Sequence, residues 1–114
     1  MQFAAHAKHV AYSPYKLRPL ANVIRGKGAI YALNWLTTYK TKRAIPIKKV
    51  LQSALANAKH LKNVDPQSLE IKEIRIDQGP ILRYFKPGAM GRAMIQRRRQ
   101  CHISIILESQ NQEV

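Results

Sequence analysis

The stretch GPILRYFKPGAMGRAMIQRRRQCH, residues 79–102, decides how the chain is read. It carries six basic residues, Arg83, Lys86, Arg92, Arg97, Arg98 and Arg99, and no acidic one. Its upstream flank, Leu69 to Ile76, is rich in isoleucine. Its downstream flank, His102 to Leu107, alternates Ile103, Ile105 and Leu107 with His102, Ser104 and Ile106, the period of a half-buried strand. The basic stretch therefore joins two strands. A connection of more than about twenty residues without structure of its own is improbable in a compact domain unless it is functional. If the strands continue outward as a ribbon, arms of about ten residues at roughly 3.3 Å each reach on the order of 33 Å from the body. An isolated hairpin is marginal in water, so a polyanion is expected to hold this one by its arginines.

Composition points the same way. The chain has 114 residues, 46% of them apolar, enough for one domain with a modest core. Lys and Arg total 20 against 6 acids, for a formal charge of +14. The acids are Asp65, Glu70, Glu73, Asp77, Glu108 and Glu113, so residues 1–64 contain none. Self-repulsion at this charge destabilises a free monomer. A nucleic acid removes that repulsion and adds counterion release: six to ten phosphate contacts imply a loss of roughly 10³ to 10⁵ in affinity between low and moderate salt. Cys101 is the only cysteine, which excludes an intramolecular disulfide and fits a reducing compartment. Residues 1–10 have no apolar core of a signal peptide, and nowhere do eighteen apolar residues run together, so neither export nor membrane spanning is expected.

Helices come first and sheet last. Gln2 to Tyr12 reads as extended, with weak alternation. Ser13-Pro14 offers an N-cap and a proline at the first helical position, opening a helix to about Ile24 with Leu17, Leu20, Ala21 and Ile24 on one face. Pro19 predicts a kink or a later start, because an interior proline costs about 3 kcal/mol. A second helix, about Ala29 to Thr38, carries Ile30, Leu33, Trp35 and Leu36 for core packing. The third, about Thr41 to Leu61, shows Ile47, Val50, Leu51, Ala54, Leu55, Ala58 and Leu61 at three- and four-residue spacing, with Pro46 blunting its first turns. Asn63 to Ser68, containing Asp65-Pro66, is the loop that closes the helical half.

Lys16-Leu17-Arg18 with Ile24-Arg25-Gly26, Lys49-Val50-Leu51 with Ser53-Ala54 and Ala56-Asn57-Ala58, Asp77-Gln78-Gly79-Pro80, Pro87, Gly91-Arg92-Ala93 and His102-Ile103 occur in an order and spacing that resembles the family of the bacterial-type twenty-second protein of the large ribosomal subunit. The resemblance covers about Lys8 to Leu107. It implies an α+β fold over residues 1–114, three helices packed on a small three-stranded antiparallel sheet with a long protruding β-hairpin at about 79–102. It implies a structural, non-enzymatic role with no cofactor: binding and organising large-subunit rRNA beside neighbouring large-subunit proteins, in the cytoplasm of a bacterium or in an organellar ribosome. The body is then expected near the mouth of the polypeptide exit tunnel, and the hairpin in its wall near the constriction, where it meets the nascent polypeptide.

Carried over by residue, the resemblance implies rRNA contacts from Lys8 and His9 in the N-terminal segment, and from Lys16, Arg18, Arg25 and Lys27 around the first helix. In the hairpin it implies Arg83, Arg92, Arg98 and Arg99, and the basic stretch itself adds Lys86 and Arg97. Arginine offers a planar fork that binds phosphate oxygens bidentately, while lysine acts as a point charge, and folded RNA is recognised chiefly by shape and backbone. The tunnel-lining tip maps to Tyr84, Phe85, Lys86, Pro87, Gly88, Ala89, Met90, Gly91, Arg92 and Ala93. Tyr84 and Phe85 either stack on bases or pack across the hairpin. The family commonly has basic residues where this chain has Tyr84, Gly88 and Met90, so a less positive, more apolar tip is expected.

Other constellations are weaker. Gly88-Ala89-Met90-Gly91 has the form of a GXXG loop, but it lies between strands rather than between helices. His6 with His9, or Cys101 with His102, lacks the second ligand pair that structural zinc needs, so no metal is expected. The acids between Asp65 and Asp77 suit surface salt bridges, and there is no paired acid and base, nucleophile or phosphate-cradling motif to suggest catalysis or a small-molecule substrate. The remaining alternative is a free RNA- or DNA-binding module.

Overall fold

A computed structural model describes residues 2–39, 41–87, 91 and 93–109, with 82–87 and 93–98 described by backbone alone. The elements run β1 (Gln2–Val10), α1 (Pro14–Ile24), α2 (Ala29–Thr38), α3 (Ala44–Lys62), a short 3₁₀ turn (Pro66–Ser68), β2 (Leu69–Gln78), β3 (Leu82–Pro87), β4 (Ala93–Arg98) and β5 (Cys101–Ser109). Strands β1, β5 and β2 form an antiparallel sheet with β5 in the centre, and β3 and β4 form a separate antiparallel pair. This is the α+β architecture expected, three helices with a three-stranded sheet. The molecule measures 70 × 25 × 19 Å.

Alternation in β5 is strict. Cys101, Ile103, Ile105, Leu107 and Ser109 are buried while the residues between them are half-buried. The buried row joins Phe3 and Ala5 of β1 and Leu69, Ile71, Ile74 and Ile76 of β2 in one core with Leu17, Ile24, Ile47, Leu51, Ala54 and Ala58. Helix α3 lies against β1 and β5, α1 against β2, and α2 against α3. Cys101 belongs to this core, and burial pushes its thiol above the ordinary range, which disfavours the reactive thiolate.

The prolines resolve differently from expectation. Helix α1 begins at Pro14 and continues through Pro19 to Ile24, so it does not start late. The proline removes only the bond to the Tyr15 carbonyl, one turn from the helix start and beside an exposed side chain, where water can replace it. Ser13 holds the N-cap position, but its side chain makes no capping bond; its carbonyl accepts from Lys16 N at 3.1 Å instead. Helix α3 starts at Ala44 rather than Thr41, which leaves Pro46 in the first turn, where backbone N–H groups have no intrahelical partner. Its stripe is buried at Ile47, Val50, Leu51, Ala54 and Ala58, but Leu61 in the final turn is 66% exposed. Asn63, at φ 52°, ends the helix in a left-handed turn that returns its N–H and that of Val64 to the Lys59 and Ala58 carbonyls.

The two body strands do not simply run on into the ribbon. The ladder of β2 with β5 ends at Gln78–Cys101 and resumes at Leu82–Arg98. Pro80 lies in the gap, and a residue without an N–H cannot continue a ladder. The break is bridged by Gly79, whose N–H donates to the Gln100 carbonyl at 2.9 Å. A Cβ on Gly79 would stand 3.2 Å from His102 Cε1 and 3.3 Å from the Gln100 backbone, so glycine is what fits at this root.

Candidate nucleic-acid interface

Charge is segregated by layer. The described acids lie on the sheet and the turn before it: Asp65 caps the 3₁₀ turn by accepting from Gln67 N at 3.0 Å, Glu70, Glu73 and Asp77 lie on β2, and Glu108 on β5. Glu73 pairs with Arg75 at 3.3 Å and Glu108 with Lys72 at 3.9 Å. Helices α1, α2 and α3 contain no acid. The helical layer therefore carries cations and no acid of its own, the pattern of a phosphate-facing surface.

Within that layer the expected contact residues divide by environment. Lys16 and Lys27 are exposed, as point charges for phosphate should be. Arg18 and Arg25 are exposed too, but they are also bonded inward to the open edge of β2. Arg18 donates from Nε and Nη2 to the Ile76 carbonyl at 3.3 and 3.2 Å. Arg25 donates from Nη2 to the Ile74 carbonyl at 2.9 Å and from Nη1 to Asn22 Oδ1 at 2.6 Å. The turn after α1 completes the seal: Gly26 N donates to Ile71 O at 3.1 Å, and Ile71 N to Lys27 O at 2.9 Å. Gly26 sits at φ +78°, a conformation that favours glycine. An edge strand with unpaired backbone groups invites wrong pairing, and here helix α1 and its C-terminal turn cover it. On the opposite edge Asn57 of α3 donates from Nδ2 to the Ala4 carbonyl at 3.0 Å.

Lys8 and His9 form a bulge in β1, the pair standing against His102 between the registers Ala7–Ile103 and Val10–Cys101. His9 adopts φ 58°, uncommon for a residue with a side chain. Its N–H donates to His102 Nδ1 at 3.1 Å, its ring Nδ1 meets Gln100 Oε1 at 3.2 Å, and the two imidazoles pack edge to face at 5.1 Å. His9 thus braces the ribbon root, while Lys8 beside it is exposed.

In the ribbon, Arg83 is the register partner of Arg97, Leu82 of Arg98, and Lys86 of Met94. Tyr84 faces Gln96 in register, Phe85 faces Ile95, and Pro87 faces Ala93. Gly91 has φ +76°, and Arg99 is exposed between β4 and β5. The tip residues Gly88, Ala89, Met90 and Arg92 lie outside the described residues. Among the described residues no group of three His, Cys, Asp or Glu side chains is placed to hold a metal ion, and no helix is long and apolar enough to cross a membrane.

One feature escapes the sequence reading. Tyr15, Lys16, Pro19, Leu20, Tyr39, Thr41 and Arg43 line a cleft of about 190 Å³ between α1 and the α2–α3 connection. The available signal was aromatic residues interleaved with basic ones in an acid-free half of the chain.

A model of the family described as ribosomal protein L22p/L17e matches residues 5–108. The chain belongs to this family. It is 41% identical to the "Large ribosomal subunit protein uL22" of Syntrophomonas wolfei, over 94% of this chain and 95% of that protein. The protein of the same name from Bdellovibrio bacteriovorus is 40% identical, over 95% of this chain and 98% of its own length. The "Large ribosomal subunit protein uL22c" of Chlorokybus atmophyticus is 39% identical, over 91% and 87%.

Proposed function

We propose that the chain, as one domain over residues 1–114, is a structural component of the large ribosomal subunit that binds and organises large-subunit rRNA. Its ribbon, 79–102, lines the polypeptide exit tunnel near the constriction. The observation that carries this reading is the ribbon's construction. Among the described residues, strands β3 and β4 pair with each other and with no other strand, and their ladder sets Arg83 opposite Arg97. Like charges directly opposite destabilise a ladder, and a two-stranded pair is marginal in water. A surrounding polyanion reverses the sign of both effects.

The contact residues divide accordingly. Arg83, Arg92, Arg97, Arg98 and Arg99 anchor the ribbon in rRNA, Lys86 adds a contact near its apex, and Lys8, Lys16 and Lys27 hold the body to phosphates. Arg18, Arg25 and His9 add to these contacts with the faces that their internal bonds leave exposed. Tyr84 to Ala93 forms the tip that the nascent polypeptide passes, and neighbouring large-subunit proteins flank the body. No catalytic residue, cofactor or metal is assigned. The setting is the cytoplasm of a bacterium, or an organelle with bacterial-type ribosomes.

Co-sedimentation tests the assignment. The endogenous protein is expected to remain with the large subunit at moderate salt, and a chain lacking 84–93 to remain associated while the tunnel's properties change, because the body carries contacts of its own. A chain found off the subunit while binding free duplexes would support an independent nucleic-acid-binding module instead. Loss of all association on removing 84–93 would contradict the division of labour between body and ribbon.

A further inference from the structure

We propose that the cleft between α1 and the α2–α3 connection is a stacking site for one unpaired base of an RNA strand, with Lys16 and Arg43 holding the adjoining phosphates. The proposal rests on the rRNA-binding reading and adds to it a defined subsite on the body, away from the ribbon.

Two tyrosines supply the aromatic part of the cleft, and each already has one ring face supported from within the protein. Trp35 stacks on Tyr39 at 4.9 Å with an interplanar angle of 22°. The Arg18 guanidinium lies over the Tyr15 ring, 5.4 Å from its centroid, and is itself fixed by its bonds to the Ile76 carbonyl. Tyr15 is nevertheless 61% exposed and Tyr39 42% exposed. Rings held rigid on one side and open on the other are preorganised platforms, and base–aromatic stacking needs only a π-face.

The size and charge of the cleft narrow the occupant. Its volume of about 190 Å³ is below the roughly 300 Å³ at which pockets begin to hold drug-sized ligands, so it suits one planar ring. Lys16 and Arg43 line it, and an adjoining hollow that shares Tyr39 and Thr41 adds Lys42 and Lys48. No acidic side chain lines either hollow. Aromatic faces bordered by cations and by no acid fit a nucleotide, whose base is uncharged and whose linker is anionic.

Trp35 is the only tryptophan, so its emission reports on the Tyr39 stack. The full chain is titrated with single-stranded oligoadenylate, inorganic polyphosphate and oligoglutamate. Oligoadenylate is expected to change Trp35 emission saturably and the other two not to. Tyr15→Leu should weaken oligoadenylate binding about tenfold, the loss of roughly one stacked base, and leave polyphosphate binding unchanged. Because Tyr15 is so exposed, this variant keeps the core intact; Tyr39→Phe should retain binding. Lys16→Gln with Arg43→Gln should lower the salt slope by about 1.4, two phosphate contacts on a single strand.

The site is refuted if polyphosphate or oligoglutamate perturbs Trp35 as oligoadenylate does, if oligoadenylate has no effect, or if Tyr15→Leu binds it undiminished. Sedimentation of the same wild-type chain separates the two levels. Absence from the large subunit removes the ribosomal reading, whereas presence there with a negative titration removes only the cleft.

Discussion

Ile105→Ala is expected to lower the unfolding free energy by about 2 to 5 kcal/mol. Ile105 is fully buried at the middle of β5, the central strand, and its register partners are Ala5 on β1 and Ile74 on β2. Removing its side chain opens a cavity where the sheet meets the helical layer. A domain of this size commonly has about 5 to 15 kcal/mol in total, and a formal charge of +14 draws on that margin through self-repulsion. The free variant should therefore be largely unfolded or close to it under conditions where the parent is folded. Because β5 continues from β4, the ribbon root is lost with the body. Urea unfolding followed by circular dichroism measures the effect, with Ile105→Val as the graded control at about 0.5 to 1.5 kcal/mol. A loss below about 1 kcal/mol for the alanine variant would mean that β5 is not the centre of the core.

Replacing both Arg18 and Arg25 by methionine is expected to destabilise the free protein by roughly 2 kcal/mol in total. Hydrogen bonds to charged groups contribute about 1.5 to 3 kcal/mol each, and each arginine is set below that range, at about 1 kcal/mol, because both side chains are exposed and water can reach the Ile74 and Ile76 carbonyls. Methionine keeps the apolar stem and removes every donor. The lysine pair is the informative companion: Arg18→Lys with Arg25→Lys keeps the charge that a phosphate sees, but not the fork that reaches the edge of β2. If the two arginines close the sheet edge, the lysine variant also loses stability, and its exposed β2 edge raises the tendency to self-associate. If they serve RNA alone, denaturant midpoints of the free protein will not move in either variant.

The bonds of Arg18 and Arg25 to the edge of β2 were not legible in the sequence. Their acceptors are backbone carbonyls 58 and 49 residues away, and a carbonyl has no residue identity to read. The bulge at His9 was hidden by distance alone, since its partner His102 is 93 residues away. Helix faces were legible because Leu17, Leu20, Ala21 and Ile24, and Ile47, Val50, Leu51, Ala54 and Ala58, repeat within one helical turn of each other. The alternation of β5 was legible because one face is buried along its whole length. Strand β1 gave only a weak signal, as Ala4, Ala5 and Ala7 differ in burial but not in type. The interruption between body and ribbon could have been read from Pro80, a residue unable to donate to a ladder. The basic residues of the helical half were legible as a charged layer, but sequence could not separate the exposed lysines from the arginines that also hold the edge of β2.

A density map of the assembled large subunit from cells carrying this chain tests the central claim most directly. The account predicts residues 79–102 embedded in rRNA, with Arg83 and Arg97 to Arg99 at phosphates and the tip, 84–93, at the wall of the polypeptide exit tunnel. A subunit without the chain, or one in which the ribbon projects into solvent away from RNA, would contradict it.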